Sequence, residues 1–401
     1  MIDLFLLSLA LLIGGYLAFS RTLARSRAWR ATLIPLASIM GSGFLVSAPL
    51  LAGAVGNDAV FCMAGLLAIA YGVGAAIRFN IRHFEPIETI SRGAPQSIAL
   101  VSRLVLSAAY FVSVTYYLQL LAAFALNAVG SHSPLLANVL TSGLILVVTV
   151  IGMWRGLAIL EGVEKYAVSL NLGMIGALLV ALAVFNANLA LQGKWALPDV
   201  SSEIDITDLR VLLGLLIVVQ GFETSRYIGD EHPPEQRIAT MRAAQLSSAA
   251  IYLVFIGLAT VLFRPGLGAD VTAIIGMTRP VAAILPILLS VAAIGSQFSA
   301  AVADTSGAGG LIEDLTRRKL PMRYAYLLVS MVTIFLTWET DVNAIIAYAS
   351  RAFALYYMLQ CLVAVLVARQ VVDGRQQLRQ VGFSLLAVVC FLVFMLGLPS
   401  E

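Results

Sequence analysis

The apolar runs of this chain constrain its fold more than any other feature of the sequence. Stretches of about 18 or more mostly apolar residues, long enough to cross a bilayer, recur from one end of the chain to the other. Hydrophobic residues occupy 60% of the 401 positions, and charged residues only 12%. The sequence therefore predicts an all-α polytopic membrane protein whose main partner is the lipid bilayer.

These runs predict about twelve transmembrane helices. The predicted spans are residues 2–20, 33–55, 58–80, 97–129, 134–153, 156–189, 209–229, 240–263, 280–312, 324–338, 341–369 and 380–397. The connections between them are too short to form a separate soluble domain. We therefore expect a single transmembrane domain over residues 1–401, without a catalytic module.

Basic residues predict how the spans are oriented. With the N-terminus outside, most Arg and Lys residues fall in the inner connections, whereas the outer ones hold only Lys194, Arg210, Arg264 and Arg279. Under the positive-inside rule both termini face outward, in a plasma membrane such as a bacterial inner membrane. The first run carries its charges after it, which favours a retained helix over a signal peptide. A formal net charge of +3, scattered along the chain, indicates no nucleic-acid partner.

The second span contains an interruption. Its sequence SIMGSGFLVSAPLLAGAVG places Gly41, Ser42 and Gly43 together within an apolar run. Because every backbone polar group must be bonded in lipid, these residues either serve close helix packing or form a binding site. We expect unwound backbone here, and a second half-helix that begins near Phe44 and directs its positive end at a ligand.

The seventh span is interrupted in a similar way, because IVVQGFETSRYIGDE places Gln220, Gly221, Phe222 and Glu223 within an apolar run. The two breaks are five helices apart, and since five is odd, two five-helix units would have opposite orientations. Paired breaks in inverted repeats predict a transporter binding site at the membrane midplane. The repeats would cover residues 33–190 and 205–370, with an extra helix in 1–32 and another in 377–401.

The motifs around both breaks resemble a known superfamily. IMGSGFLVSAPLLAGAVG is similar to the first core helix of the amino acid–polyamine–organocation (APC) superfamily, and QGFETSRYIGDEHPPEQRIATMRAA to its sixth core helix and the following inner loop. The extra leading helix and AAVADTSGAGGLIEDL in the ninth span look more like the solute:sodium symporter family, which shares the fold. The resemblance implies a LeuT-like fold of five plus five inverted helices around a substrate.

The expected substrate site lies between the two breaks. Its candidate residues are Met40, Gly41, Ser42, Gly43, Gln119, Gln220, Gly221, Phe222 and Glu223. Unbonded amides at the start of a half-helix suit an anionic group, which favours a small organic solute such as an amino acid or a carboxylate. We expect a secondary active transporter in which a helix bundle moves against a scaffold of the fourth, fifth, ninth and tenth spans.

The resemblance also implies a cation site between the second and ninth spans. Its ligands would be the backbone carbonyls of Ala37 and Met40 and the hydroxyl of Ser299. The neighbours of Ser299 are Phe298 and Ala300 rather than a second Ser or Thr, which leaves few oxygen ligands for sodium. Sodium and protons both stay open as coupling ions, with protons slightly favoured.

Ionisable residues within the spans are further candidates for coupling. Glu223 and Asp304 would carry a proton or bind a cation, because intramembrane charges are costly and usually functional. Arg351 would be a counter-charge for Asp304, or the two would form a static pair that only holds helices together. No cofactor, metal site or enzyme motif is predicted. An inorganic ion carrier or channel and a transport-inactive sensor or subunit are the alternative functions, and the oligomeric state stays open.

Overall fold

Each of the twelve predicted spans contains helical residues. The structure is a computed structural model that describes residues 2–41, 43–90, 92–131, 133–200, 204–227, 232–267, 270–371 and 374–399, without the side chains of residues 24 and 158–165. These residues form helices and connecting turns, with no strand among them. The prediction of an all-α architecture is therefore confirmed.

The α-helices follow one another along the whole of the described chain. They are α1 (Ile2–Phe19), α2 (Arg21–Arg25), α3 (Arg27–Gly41), α4 (Phe44–Val55), α5 (Ala59–His83), α6 (Glu85–Glu88), α7 (Ala94–Ala128), α8 (Pro134–Arg155), α9 (Ala158–Leu191), α10 (Ile206–Gly214), α11 (Pro234–Ala259), α12 (Ala273–Thr278), α13 (Leu285–Leu315), α14 (Met322–Glu339), α15 (Val342–Ala368) and α16 (Gln376–Leu396). Short 3-10 turns cover Gly56–Asp58, Leu216–Val219, Phe222–Arg226 and Thr260–Leu262.

Nine helical stretches of the described residues are long and apolar enough to cross a membrane. One of them, Arg27–His83, contains α3, α4 and α5 and therefore two predicted spans. The remaining predicted spans fall on α14, which has 18 residues, and on the interrupted segment that begins with α10. The chain is thus an integral, multi-pass membrane protein.

The break in the second span lies where the sequence predicts it. Helix α3 ends at Gly41 and α4 begins at Phe44, so the predicted start of the half-helix is confirmed. The break in the seventh span is longer than expected: α10 ends at Gly214, and two 3-10 turns follow instead of a further α-helix within the described part of that span.

Two groups of helices flank the breaks. Helices α7, α8, α13 and α14 pack on one another and correspond to the predicted scaffold. The second group contains α3, α5, α11 and the Phe222–Arg226 turn. Helices α1 and α16 pack at the periphery against α9 and α15, and expose apolar side chains such as Leu12 and Leu378, as expected of helices in contact with lipid.

Candidate functional site

The two breaks are in direct contact with each other. Gly221 has a φ of +115°, and a Cβ on it would lie 2.8 Å from the backbone nitrogen of Ile39. A Cβ on Gly43 would lie 2.8 Å from the Cβ of Val218. Both positions therefore require glycine, one for its backbone conformation and both for close approach. Ser42, which the sequence analysis included in this site, lies outside the described residues.

A serine on α15 bonds backbone groups at the end of α10. The Ser350 hydroxyl donates to the carbonyl of Gly214 at 2.5 Å and accepts from the N–H of Ile217 at 2.8 Å. This arrangement answers the requirement that backbone polar groups inside a membrane have partners. It also explains why the α-helix can end at Gly214, earlier than the sequence suggests.

Two further side chains bond the carbonyls at the ends of the broken segments. The Tyr252 hydroxyl of α11 shares its one hydrogen between the carbonyls of Ile39, at 3.2 Å, and Val218, so that it links the two breaks. On α13, the Gln297 Nε2 donates to the carbonyl of Gly41 at 2.9 Å. The backbone of the breaks is therefore held by the surrounding helices.

A buried polar cluster surrounds the second break. The Glu223 Oε2 accepts hydrogen bonds from the N–H of Gly221 at 3.0 Å and from the Tyr357 hydroxyl at 2.8 Å. The Phe222 ring stacks on Tyr357 with 5.2 Å between ring centroids. Glu223 is only 1% exposed, so its carboxyl group is enclosed by these contacts.

The cluster extends to the scaffold through Gln220. The Gln220 Nε2 donates to the hydroxyl of Tyr117, on α7, at 3.1 Å. The structure therefore brings Gln220, Phe222 and Glu223 together, as predicted, and adds Tyr117 and Tyr357. Neither tyrosine was among the predicted site residues, because an aromatic residue in a long apolar span is usually part of the helix packing.

A cavity of about 340 Å³ lies beside the breaks, towards the end of the molecule at which α3 begins. Its lining includes three residues predicted to bind or couple ions, Ala37, Ser299 and Asp304. The Asp304 carboxylate accepts a hydrogen bond from the hydroxyl of Ser113. Met40 and Glu223 are not among the described residues that line this cavity, so only part of the predicted ion-coupling set faces it.

Arg351 does not pair with Asp304. Its Nε donates to the carbonyl of Phe394 at 2.7 Å, and its guanidinium lies over the Phe394 ring. Arg351 faces α16, whereas Asp304 contacts Ser113 on α7, and no ion pair between Asp304 and Arg351 occurs in the described structure. The prediction that Arg351 is a counter-charge for Asp304, or forms a static pair with it, is therefore wrong.

Gln119 also lies away from the breaks. Its Nε2 donates to the carbonyls of Thr337 and Thr340, at 3.4 and 3.2 Å, and it lines a separate cavity. Residues two apart on a helix point in nearly opposite directions, so that Tyr117 reaches Gln220 while Gln119 cannot. The expected role of Gln119 in the site between the breaks is therefore corrected.

The sequence matches one protein family and one relative over most of its length. A family model described as "APC superfamily transporter" matches residues 21–397. An uncharacterized protein of Aquifex aeolicus (strain VF5) is 41% identical over 396 residues, which cover 96% of this chain and 95% of that protein.

The fold is also similar to that of a solved structure, at low sequence identity. The crystal structure of MhsT in complex with L-phenylalanine matches with a TM-score of 0.60 and 14% identity, over 93% of this chain and 99% of that chain. A Na⁺-coupled sialic acid symporter in a substrate-bound outward-open state matches with a TM-score of 0.49 and 13% identity, over 100% of this chain and 98% of that one. The likeness to MhsT confirms the LeuT-like fold. The family match over residues 21–397 identifies the chain as a member of the APC superfamily, a transporter and not an enzyme.

Proposed function

We propose that this transporter moves a small organic solute, an amino acid or a related carboxylate, by alternating access in symport with protons. The observation that carries the proposal is the position of Glu223. This carboxyl group lies at the break, is 1% exposed, and forms no ion pair within the described part of the chain. A carboxyl group at such a position can take up a proton together with the solute and release it on the other side.

The start of α4 supports an anionic group on the substrate. The N-cap residue Gly43 offers no side-chain hydrogen bond to the first amides of α4, and those amides have no partner within the helix itself. They add to the positive end of the helix dipole, which attracts a carboxylate. L-Phenylalanine, the solute in the MhsT complex, belongs to this chemical class.

The side chains near Ser299 support protons over sodium. Sodium prefers several oxygen ligands, but Phe298 and Ala300 beside Ser299 carry none. The adjacent Gln297 directs a donor, its Nε2, at the carbonyl of Gly41. Protonation of Glu223 needs no such ligand set, because the proton is bound by the carboxyl group alone.

The distribution of basic residues supports the cellular setting of this proposal. The Arg-rich connections alternate with connections that hold few basic residues, as expected if both termini face outward across a plasma membrane such as a bacterial inner membrane. In that orientation, the cavity next to Asp304 opens towards the inner end of α3. The solute would leave the site through this cavity after it enters from outside.

Uptake into proteoliposomes tests the proposal. Amino acids, organic acids and inorganic ions are supplied in turn under a pH gradient or a sodium gradient. We expect pH-driven accumulation of an organic solute, which Glu223→Gln abolishes while exchange of that solute across the membrane continues. The matched control is Glu339→Gln, the same substitution at an exposed position at the end of α14.

Three outcomes would contradict the proposal in different ways. Strictly sodium-dependent uptake that Ser299→Ala abolishes, with Glu223→Gln silent, rejects proton coupling. Flux of inorganic ions without that of any organic solute favours the ion carrier or channel. Binding of an organic solute without flux favours a sensor or subunit of the same fold.

A further inference from the structure

We propose that a second, separate cavity binds a small ammonium compound with an apolar body. The cavity has a volume of about 390 Å³, within the range of small-molecule sites. It lies between α7, α8, the turn from α14 to α15 and the connection that precedes α12. None of the break residues lines it, so this inference does not rest on the function proposed for the breaks.

The first argument is an unsatisfied acceptor. Gln119 lines the cavity and is 3% exposed. Its Nε2 faces the carbonyls of Thr337 and Thr340, which fixes the amide, because the flipped form would place Oε1 against two acceptors. Within the described residues the Gln119 Oε1 has no hydrogen-bond partner. A buried acceptor without a donor is unfavourable, and a ligand that carries N–H groups would satisfy it.

The second argument is the negative charge of two aspartates, which would attract a cation. Asp270 and Asp341 both line the cavity and are exposed at its rim. The Oδ1 of Asp270 accepts from the N–H of Thr272, and the Oδ1 of Asp341 accepts from the N–H of Ala344, both at 2.8 Å. In the described structure these bonds leave the second carboxylate oxygen of each aspartate for a ligand. Asp341 also offsets the positive end of α15, which it caps.

The other residues that line the cavity indicate whether its ligand is a metal ion or an organic cation. Apolar side chains, among them Leu126, Pro134 and Val271, form much of the wall, and no Lys or Arg occurs among the described lining residues. A metal ion would leave this apolar surface unused, and the described residues contain no group of three or more His, Cys, Asp or Glu side chains that could hold one. An ammonium group at the aspartates with an apolar body against the wall uses both parts of the lining.

The cavity lies where a ligand would join two parts of the molecule. The Asn127 Nδ2 of α7 donates to the Thr272 Oγ1 at 2.9 Å, so the connection before α12 already rests on the scaffold. Helix α12 in turn packs against α4, the half-helix that starts at the first break. A ligand held between Asp270 and Asp341 would strengthen the attachment of this connection to the scaffold.

Binding of benzylammonium to the purified full-length protein, measured by isothermal titration calorimetry, tests the inference, with benzyl alcohol as the neutral probe. The double variant Asp270→Asn/Asp341→Asn keeps an oxygen acceptor for each backbone N–H, and Asn is an equally good N-cap. We expect it to bind benzylammonium at least about ten-fold more weakly, because it loses two charge-assisted contacts. The control Asp205→Asn removes the same charge from the cap of α10 and should bind normally.

A second variant separates loss of the site from loss of folding. Ala137 lines the cavity and is half-buried, so Ala137→Leu should block the ligand without removing any polar contact. The inference is overturned if the folded wild type shows no saturable binding, or if benzyl alcohol binds as tightly as benzylammonium. It is also overturned if both cavity variants bind normally, or if only Glu223→Gln loses binding, which would place the ligand at the breaks.

Discussion

The backbone of Gly221 lies against that of Ser38, so that a Cβ on Gly221 would lie 2.7 Å from the carbonyl carbon of Ser38. The two interrupted spans therefore touch at their breaks. The cavity beside them is lined by Ser38 from one span and by Thr224 from the other. A substrate that enters between the breaks must move these two segments apart. A substitution at the contact should therefore alter transport directly.

Gly221→Ala tests that contact. The added methyl group would clash with Ser38 and Ile39, and the φ of +115° costs a non-glycine residue about 1–3 kcal/mol. We expect uptake to fall at least ten-fold in proteoliposomes. Gly65→Ala in α5 is the control, because a Cβ there meets nothing within 4 Å. If Gly221→Ala transports normally, the breaks are not packed as described.

Gly41 and Gly43 should differ in their tolerance of alanine. A Cβ on Gly41 would be 3.8 Å from the carbonyl oxygen of Ser296, an ordinary contact, whereas a Cβ on Gly43 would be 2.8 Å from Val218. We therefore expect Gly41→Ala to retain substrate binding and Gly43→Ala to lose most of it, with both proteins folded. The larger changes Gly41→Leu and Gly43→Leu should both abolish binding. Equal behaviour of the two alanine variants in a binding titration would contradict this assignment.

Tyr357→Phe should change the pH dependence of transport. The substitution removes a hydrogen bond to the Glu223 carboxylate but keeps the ring that stacks on Phe222. Because a donor favours the charged form of a carboxyl group, its loss should shift the midpoint of pH-dependent uptake. Tyr348→Phe, at an exposed position on the same helix, should leave the midpoint unchanged. A profile for Tyr357→Phe that matches the wild type would remove Glu223 from the coupling step.

The sequence predicts much of this architecture, because whether a segment spans the membrane depends mainly on the residues of that segment. A run of apolar residues is sufficient to place a span, since its backbone bonds lie within one helix. The break at Gly41–Gly43 and the helix start at Phe44 follow from the same local requirement. The early end of α10 does not, because it depends on a bond from Ser350, which is distant in sequence.

The partners within the site depend on tertiary contacts that a single sequence does not reveal. Tyr117 and Tyr357 are unremarkable in long apolar runs, and only packing shows that they contact Gln220 and Glu223. Asp304 and Arg351 both lie near the middle of their predicted spans, which suggested that they pair. A position along a helix does not determine which side the residue faces, and Arg351 faces α16. For these residues the sequence identifies an unusual side chain without identifying its neighbour.

Tyr252 offers a test of how firmly the two breaks are held together. Its hydroxyl bonds the carbonyls of Ile39 and Val218, one from each interrupted span, and its ring packs edge-on against Phe44. Tyr252→Phe keeps the ring contact and removes only the hydroxyl. Because the substitution removes hydrogen bonds within the protein, we expect a loss of about 0.5–1.5 kcal/mol in stability.

The measurement is the thermal unfolding midpoint in one detergent, together with uptake. Tyr252→Phe should lower the midpoint and reduce uptake, whereas the control Tyr16→Phe, which is 61% exposed on α1, should do neither. Tyr252 bonds the carbonyl of Val218, and Gly43 packs closely against the same residue. The double variant Tyr252→Phe/Gly43→Ala should therefore lose less stability than the sum of the losses in the two single variants. Strict additivity would mean that the hydroxyl and the glycine contact act independently.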